Sequence, residues 1–195
     1  MATEVLDEAT EGTLTRRRAT IEEFWGLPES VLPVEYVNGE IVMAPAPTPK
    51  HQTVSRSIFR ALDGFALRES LGEVFYSPFD VVLPSGDVVQ PDIFFLTPRE
   101  SEGVPASKRL HTVPSLVVEI LSPGTATHDA ITKRELYQKN GVREYWIVDI
   151  ETRSIARLVL RKKRYVLKEF GEDETINSSV LEGFEMNVGE LIGLK

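Results

Sequence analysis

Between residues 115 and 150 the chain runs from a short apolar segment through a helical stretch to a second apolar segment, and this order constrains the fold more than any other feature. The first segment, Ser-Leu-Val-Val-Glu-Ile-Leu, is short and rich in β-branched residues, so it reads as a strand. The sequence Ser-Pro-Gly-Thr that follows breaks it. A helix is then expected over residues 128–140, with Gly141 placed to end it, and residues 143–150 return as an apolar strand. A strand, a crossover helix and a second strand join parallel neighbours, which puts an α/β sheet at the centre of the fold.

The flanking elements follow from local signals. Residues 1–19 show little apolar periodicity and are expected to form a mobile arm, leaving 20–195 as a single domain. Thr20 followed by Glu23 is a capping box, and Gly26 with Pro28 closes a short helix whose Phe24 and Trp25 dock on the core. Asn38-Gly39 between strand-like flanks predicts a β-hairpin, with Glu40 just past its turn. A Pro-rich stretch leads into a helix over residues 51–67, where Val54, Ile58, Ala61, Leu62 and Phe65 recur at helical spacing. Residues 73–83 read as one strand, hairpinned to the strand that bears Asp92. Residues 97–113 read as a long surface loop, a candidate active-site rim. The runs 154–160 and 164–170 form a C-terminal hairpin.

At 195 residues and 42% hydrophobic content, the chain suits one domain with a sizeable core. It has no cysteine, which removes disulfides, thiolate zinc sites and cysteine nucleophiles and fits a reducing, cytoplasmic setting. The N-terminus lacks a signal-peptide pattern and no apolar run approaches membrane-spanning length, so no membrane association is expected. The net charge of −8 argues against a broadly basic surface for gripping nucleic acid. Basic residues do cluster at 16–18, at Lys133 with Arg134, and at 161–164, where the first and last read as solvated faces or hairpin tips.

Two carboxylates stand inside otherwise apolar runs: Asp92 in Val-Val-Gln-Pro-Asp-Ile-Phe-Phe-Leu, and Glu119 in the strand at 115–121. An unpaired carboxylate in the centre of an apolar strand costs several kcal/mol, so something must compensate it. A hard divalent cation held between the two acids would do so, because Mg²⁺ takes oxygen ligands and needs only one or two protein carboxylates. On the 128–140 helix, Asp129, Lys133 and Tyr137 are spaced at i, i+4 and i+8 and project from one face. Spacing alone favours a plainer reading, a helix-surface ion pair of Asp129 with Lys133 beside a tyrosine packed on the sheet.

The ordered set Pro91-Asp92, Val118-Glu119-Ile120-Leu121-Ser122, Asp129 to Lys133 to Tyr137, and Gly141-Val-Arg-Glu-Tyr-Trp-Ile-Val-Asp149 resembles the Uma-type endonuclease family of the PD-(D/E)XK, restriction-endonuclease-like superfamily. The similarity runs from the Tyr36-Val-Asn-Gly-Glu segment to Gly183-Phe184-Glu185. It implies a central mixed β-sheet flanked by helices, here with added N- and C-terminal hairpins, and a DNA-cleaving activity dependent on Mg²⁺ or Mn²⁺. By resemblance, Asp92 is the aspartate of the PD element and Glu119 the acid of the (D/E)XK element, both as metal ligands. The usual lysine position two residues on is Leu121, and Lys133 on the next helix matches the place where Uma-type proteins carry the lysine. Such a trio would hold the cation and orient or stabilise charge around a water attacking a phosphodiester. Glu40, His51 and Tyr137 match accessory positions. Glu40 and His51 bind a second metal, accept a proton or shape the site; their plainer readings are a solvent-facing hairpin residue and a polar residue at a helix N-terminus.

Other candidates carry less. His111 and His128 have no spacing that pairs them as ligands. Asp149 reads as a turn acceptor, and Ser122 as a helix-entry hydrogen-bonding group. The rival from another class is a non-catalytic nucleic-acid-binding or assembly protein on the same fold. A carboxylate-pair sugar hydrolase lacks an aromatic-rich platform in this sequence. A homodimer through the apolar C-terminal hairpin is a further expectation, since two cuts need two sites.

Overall fold

The computed structural model describes residues 14–28, 30, 32–102, 104, 109–122 and 128–193. The chain opens with strand β1 (Thr15–Arg18) and helix α1 (Ile21–Trp25), capped by Thr20 and Glu23 in the expected reciprocal box. Strands β2 (Val34–Val37) and β3 (Glu40–Met43) form the hairpin around Asn38 and Gly39, both with positive φ as a tight two-residue turn requires. The segment expected as an arm therefore contributes an edge strand: β1 pairs antiparallel with β3, Arg16 opposite Val42 and Arg18 opposite Glu40. Its alternation of half-buried and exposed residues is too short and too basic to register as periodicity. Residues 1–13 lie outside the described residues.

Helix α2 (Pro49–Arg68) starts at an N-cap threonine, Thr48, and buries Val54, Ile58, Leu62 and Ala66 along one stripe, each larger aliphatic contributing about 2 kcal/mol of burial. Two long strands expected next are each broken in two. Strand β4 (Glu73–Tyr76) is separated from β5 (Asp80–Val82) by Ser77-Pro78-Phe79, and β6 (Val88–Val89) from β7 (Ile93–Leu96) by Gln90-Pro91-Asp92. Pro78 and Pro91 supply no N–H to a ladder, which is why both arms of this hairpin bend there. At these corners the chain passes between two sheets. Asp92 thus sits at a sheet-to-sheet corner just ahead of β7 and not in the middle of a strand.

The expected surface loop contains a short helix, α3 (Pro98–Ser101), and strand β8 (Arg109–Leu110); residues 103 and 105–108 lie outside the described residues. Strand β9 (Leu116–Ile120) leads to a π turn (His128–Lys133) and helix α4 (Arg134–Asn140), which ends on the left-handed Gly141. Strand β10 (Glu144–Asp149) lies parallel to β9, with Ile147 opposite Glu119, so the crossover forms as the sequence order requires. Strands β11 (Ser154–Arg161) and β12 (Arg164–Phe170) make the C-terminal hairpin and extend the central sheet. A ribbon of β13 (Thr175–Asn177) and β14 (Glu185–Asn187) precedes helix α5 (Val188–Ile192).

The central sheet has the order β12-β11-β10-β9-β7-β4 and is mixed; the second has the order β1-β3-β2-β6-β5-β8. One core lies between the central sheet and helices α2 and α5, around Val54, Ile58, Trp146, Phe184 and Leu191. The other fills the opposite face, where Phe94, Val117 and Tyr145 meet Leu136 and Tyr137 of α4 and Val37 and Val81 of the second sheet. Strand β9 is buried on both faces, with Leu116, Val118 and Ile120 toward the first core and Val117 toward the second. Glu119 shares the face of Val117 by the two-residue period, so the strand aims it toward α4. Among the described residues, no helix is long and apolar enough to cross a membrane.

Candidate active site

Where the corner at residues 90–92 meets the end of β9, a cleft of about 500 Å³ opens, bordered by Glu35, His51, Gln90, Asp92, Glu119 and Lys133. The pairing of β7 with β9 sets Ile93 opposite Val118; one step further along that register Asp92 comes level with Glu119. Asp92 is fixed at that point by two contacts. Its Oδ2 accepts the backbone N–H of Ile120 at 2.8 Å and lies 3.1 Å from His51 Nε2. His51 reaches it from the first turn of α2, where Thr48 caps the helix and accepts the His51 N–H.

Glu119 is 3% exposed and belongs to a chain of charge-assisted hydrogen bonds. Lys133 Nζ donates to Glu119 Oε1 at 2.9 Å, and the Tyr137 hydroxyl donates to the same oxygen at 2.7 Å. On its other side Lys133 Nζ stands 2.9 Å from Glu35 Oε1, which also accepts the backbone N–H of Gln90 at 2.7 Å. Lys133 is 5% exposed, so an ammonium sits between two buried carboxylates. Burial raises the Tyr137 hydroxyl well above its ordinary pKa, and the neighbouring Glu119 and Glu35 charges add to the effect. Tyr137 is therefore a fixed neutral donor to Glu119. The π turn ends at Lys133, an irregularity of the kind that accompanies functional positions in helices.

The structure brings Asp92, Glu119, Lys133, His51 and Tyr137 together. It does not bring Glu40 to the cleft. Glu40 stands opposite Val37 at the turn end of the hairpin, two residues along the ladder from the row in which Glu35 faces Val42. Of the two hairpin carboxylates, it is Glu35 and not Glu40 that borders the cleft. The signal was present in Val34-Glu-Tyr-Val37: Glu35 shares a strand face with Val37, which is 2% exposed, so the two-residue period already pointed that carboxylate inward. The side chains of His128 and Asp129 lie outside the described residues.

The donor set suits a hard cation. Three carboxylates, those of Glu35, Asp92 and Glu119, face the cleft with one ammonium, which leaves two formal negative charges in excess. Among the described residues, no three His, Asp or Glu side chains already converge as a complete metal cage. Mg²⁺ and Mn²⁺ are often held by one or two carboxylates with water and phosphate completing the shell, and Asp92 at the corner ahead of β7 and Glu119 on β9 could serve that need.

A family model described as Uma2, "Putative restriction endonuclease", matches residues 21–189. Among solved structures, the chain is similar to one from Anabaena variabilis ATCC 29413, titled a putative nuclease belonging to DUF820. The TM-score is 0.79 at 18% identity, covering 89% of this chain and 97% of that one, so the two share a fold. No curated protein matches the chain.

Proposed function

We propose that this chain, which belongs to the Uma2 family, is a Mg²⁺-dependent endonuclease that hydrolyses DNA phosphodiester bonds at the cleft between Asp92 and Glu119. The observation that carries the reading is the meeting, in one open cleft with excess negative charge, of the corner-fixed Asp92, the strand-borne Glu119 and a buried lysine. Asp92 and Glu119 would hold the cation; Mn²⁺ fits the same oxygen donors. When bound, the cation would supply Lewis acidity toward the phosphate and lower the pKa of a coordinated water.

The chain's own residues do the rest. Ile120 N–H and His51 hold the Asp92 carboxylate in one orientation, so it need not reorganise as charge develops. Lys133 is a preorganised cation in a water-poor wall, placed to stabilise negative charge on a phosphate seated in the cleft or to orient the attacking water. Glu35 shares Lys133 with Glu119 and fixes its position from the far side. Tyr137, held neutral, keeps Glu119 from rotating away. The exposed Val166 and Leu167 on β12 support self-association through the C-terminal hairpin.

The test is incubation of the purified protein with plasmid, linear and single-stranded DNA in Mg²⁺ or Mn²⁺, beside EDTA and Asp92→Asn controls. Cleavage that needs the cation and disappears in both controls is the expected result. Cleavage that persists in Asp92→Asn would overturn the assignment. Calorimetric Mg²⁺ binding without cleavage of any substrate would move the chain to the non-catalytic class.

A further inference from the structure

The central sheet ends on β12 at one side and on β4 at the other. The two edges differ in length, four residues in β4 and seven in β12. A long edge strand offers a row of unpaired backbone groups to another strand, and folded proteins shorten, charge or cover such edges. The turn residues Lys162 and Lys163, both with positive φ, close the hairpin on the pair Arg161 and Arg164. Alternation from that pair turns the backbone N–H and C=O of Tyr165, Leu167 and Glu169 away from β11. The Tyr165 N–H is already covered, donating to Gln138 Oε1 of α4 at 2.7 Å. The backbone groups of Leu167 and Glu169 stand at the open edge, where the side chains of Val166 and Leu167 are 59% and 45% exposed.

The charge pattern around this edge points to its occupant. Residues 161–174 read Arg-Lys-Lys-Arg-Tyr-Val-Leu-Lys-Glu-Phe-Gly-Glu-Asp-Glu, a basic end, an apolar centre and an acidic end. The four residues of the basic tip and the acids Glu169, Glu172, Asp173 and Glu174 are all exposed. Contacts within the chain hold the acidic end in place: Glu172 meets Arg153 at 2.7 Å, and Glu174 accepts the Gly171 N–H. A second copy of β12 laid antiparallel along the first brings each basic tip beside the other copy's acidic end, and it does so twice. Laid parallel, it would set like charges together. A twofold axis normal to the sheet can centre the antiparallel pair on Val166, Leu167 or Lys168. Centring on Leu167 sets Tyr165 opposite Glu169, Val166 opposite Lys168 and Arg164 opposite Phe170. Either neighbouring register sets Lys168 against itself or against Arg164, a destabilising like-charge pair.

We propose that two copies of this chain join edge to edge through β12, antiparallel about a twofold axis at Leu167, so that their central sheets run on as one. The pairing satisfies the open backbone groups of Leu167, covers Val166 and Leu167, and matches the charged ends. It gives the self-association of the C-terminal hairpin a defined register, and it rests on the strand edge and not on the nuclease reading.

The chain has no cysteine, so a single introduced one reports the register. Directly opposed, hydrogen-bonded residues of antiparallel strands have Cα atoms about 5.5 Å apart, within reach of a disulfide. Under mild oxidation of the full chain, Leu167→Cys is expected to form a covalent dimer several-fold faster than Val166→Cys or Lys168→Cys. Val166 is the more exposed side chain, so random collision would favour it over Leu167. Light scattering of the unmodified protein should give twice the monomer mass, with the dimer loosening as salt is raised. Leu167→Lys and Leu167→Glu should each be monomeric alone and should pair when mixed, because the mixed dimer sets opposite charges at the axis. Recovery on mixing separates a broken interface from a misfolded chain. A monomeric mass for the unmodified protein at every concentration would overturn the proposal, as would an undiminished dimer in Leu167→Lys or faster crosslinking through Val166→Cys or Lys168→Cys. No readout here involves DNA or metal, so the nuclease reading stands or falls on the cleavage assay alone.

Discussion

Adjacent strands of the central sheet each bury a glutamate, and the two are treated in opposite ways. Glu144 on β10 is 0% exposed and its partners are all neutral donors. The Trp146 indole N–H donates to its Oε1 at 2.6 Å; its Oε2 accepts the Ser179 backbone N–H at 2.6 Å together with the hydroxyls of Ser178 and Ser179. Glu119 on β9 is 3% exposed, yet it borders an open cleft and shares a lysine with a second carboxylate. Glu144 is sealed by neutral donors and pins the 178–179 loop to the sheet. Glu119 is held by an ammonium and a hydroxyl at the edge of the open cleft, where the proposed cation would join it. Burial of an acid in an apolar strand therefore does not mark a functional site by itself; what sets Glu119 apart, in the proposed reading, is the kind of partner and the opening beside it.

The sharpest way to break this contrast is to neutralise each glutamate in turn. Glu119→Gln should lower metal-dependent cleavage by about a thousandfold or more, a scale typical of removing a principal electrostatic element, while changing the midpoint of urea unfolding little. Glu144→Ala should do the converse. It strands the Trp146 N–H and the Ser179 N–H in the interior and should cost about 3 kcal/mol of stability, with cleavage at permissive temperature retained. Equal loss of activity in both variants would erase the distinction.

Lys133→Met is next in size. It leaves Glu35 and Glu119 facing each other without their ammonium, and removal of one partner from a buried ionic group costs about 3–5 kcal/mol. Adding Glu35→Gln to that variant should recover part of the lost stability without restoring cleavage. Glu35→Gln alone should lower kcat by about tenfold and leave the KM for DNA close to wild type, because Glu35 acts through Lys133. A rise in KM alone would instead make Glu35 a binding residue.

The crossover at 115–150 was legible because its apolar runs, helix and terminating glycine each point to the same arrangement. Asp92 was legible as a candidate residue, and it does border the cleft, but it was not legible as a corner residue. The valines and phenylalanines around it read as one strand, and Pro91 is the residue that turns the chain into the other sheet. The second sheet was hidden for the same reason, since its strands β5, β6 and β8 are two or three residues long and carry no period. Glu40 drew attention because the Asn-Gly turn is conspicuous, while Glu35 required asking which face of a four-residue strand is inward. Glu144 shows the opposite failure: an argument from the cost of burying acids applies to it as strongly as to Glu119, and the neutral donors of Trp146 and of the serines thirty-odd residues downstream explain it.

The smallest effect comes from pH and tests whether Tyr137 is the neutral donor that the Glu119 side of the comparison requires. In the unfolded chain a tyrosine titrates near its ordinary value of 10.0, while the folded environment of Tyr137 holds its proton to well above that. Above pH 10 the unfolded state therefore binds fewer protons than the native state, and stability falls as pH rises; below pH 10 the contribution is fully present. The loss from this one group should reach about 1.4 kcal/mol between about pH 9 and about pH 11. Tyr137→Phe lacks it, so the stability gap between wild type and variant should narrow by that amount over the same interval. Tyr165, also raised by burial and donating its hydroxyl to the Val142 carbonyl at 2.9 Å, obeys the same sign. It lies away from the acids, so Tyr165→Phe should reproduce the alkaline narrowing while leaving cleavage unchanged, whereas Tyr137→Phe should lower cleavage as well by loosening Glu119. Identical activity in the two phenylalanine variants would show that Glu119 needs no hydroxyl to hold it, and that Lys133 alone separates the open carboxylate from the sealed one.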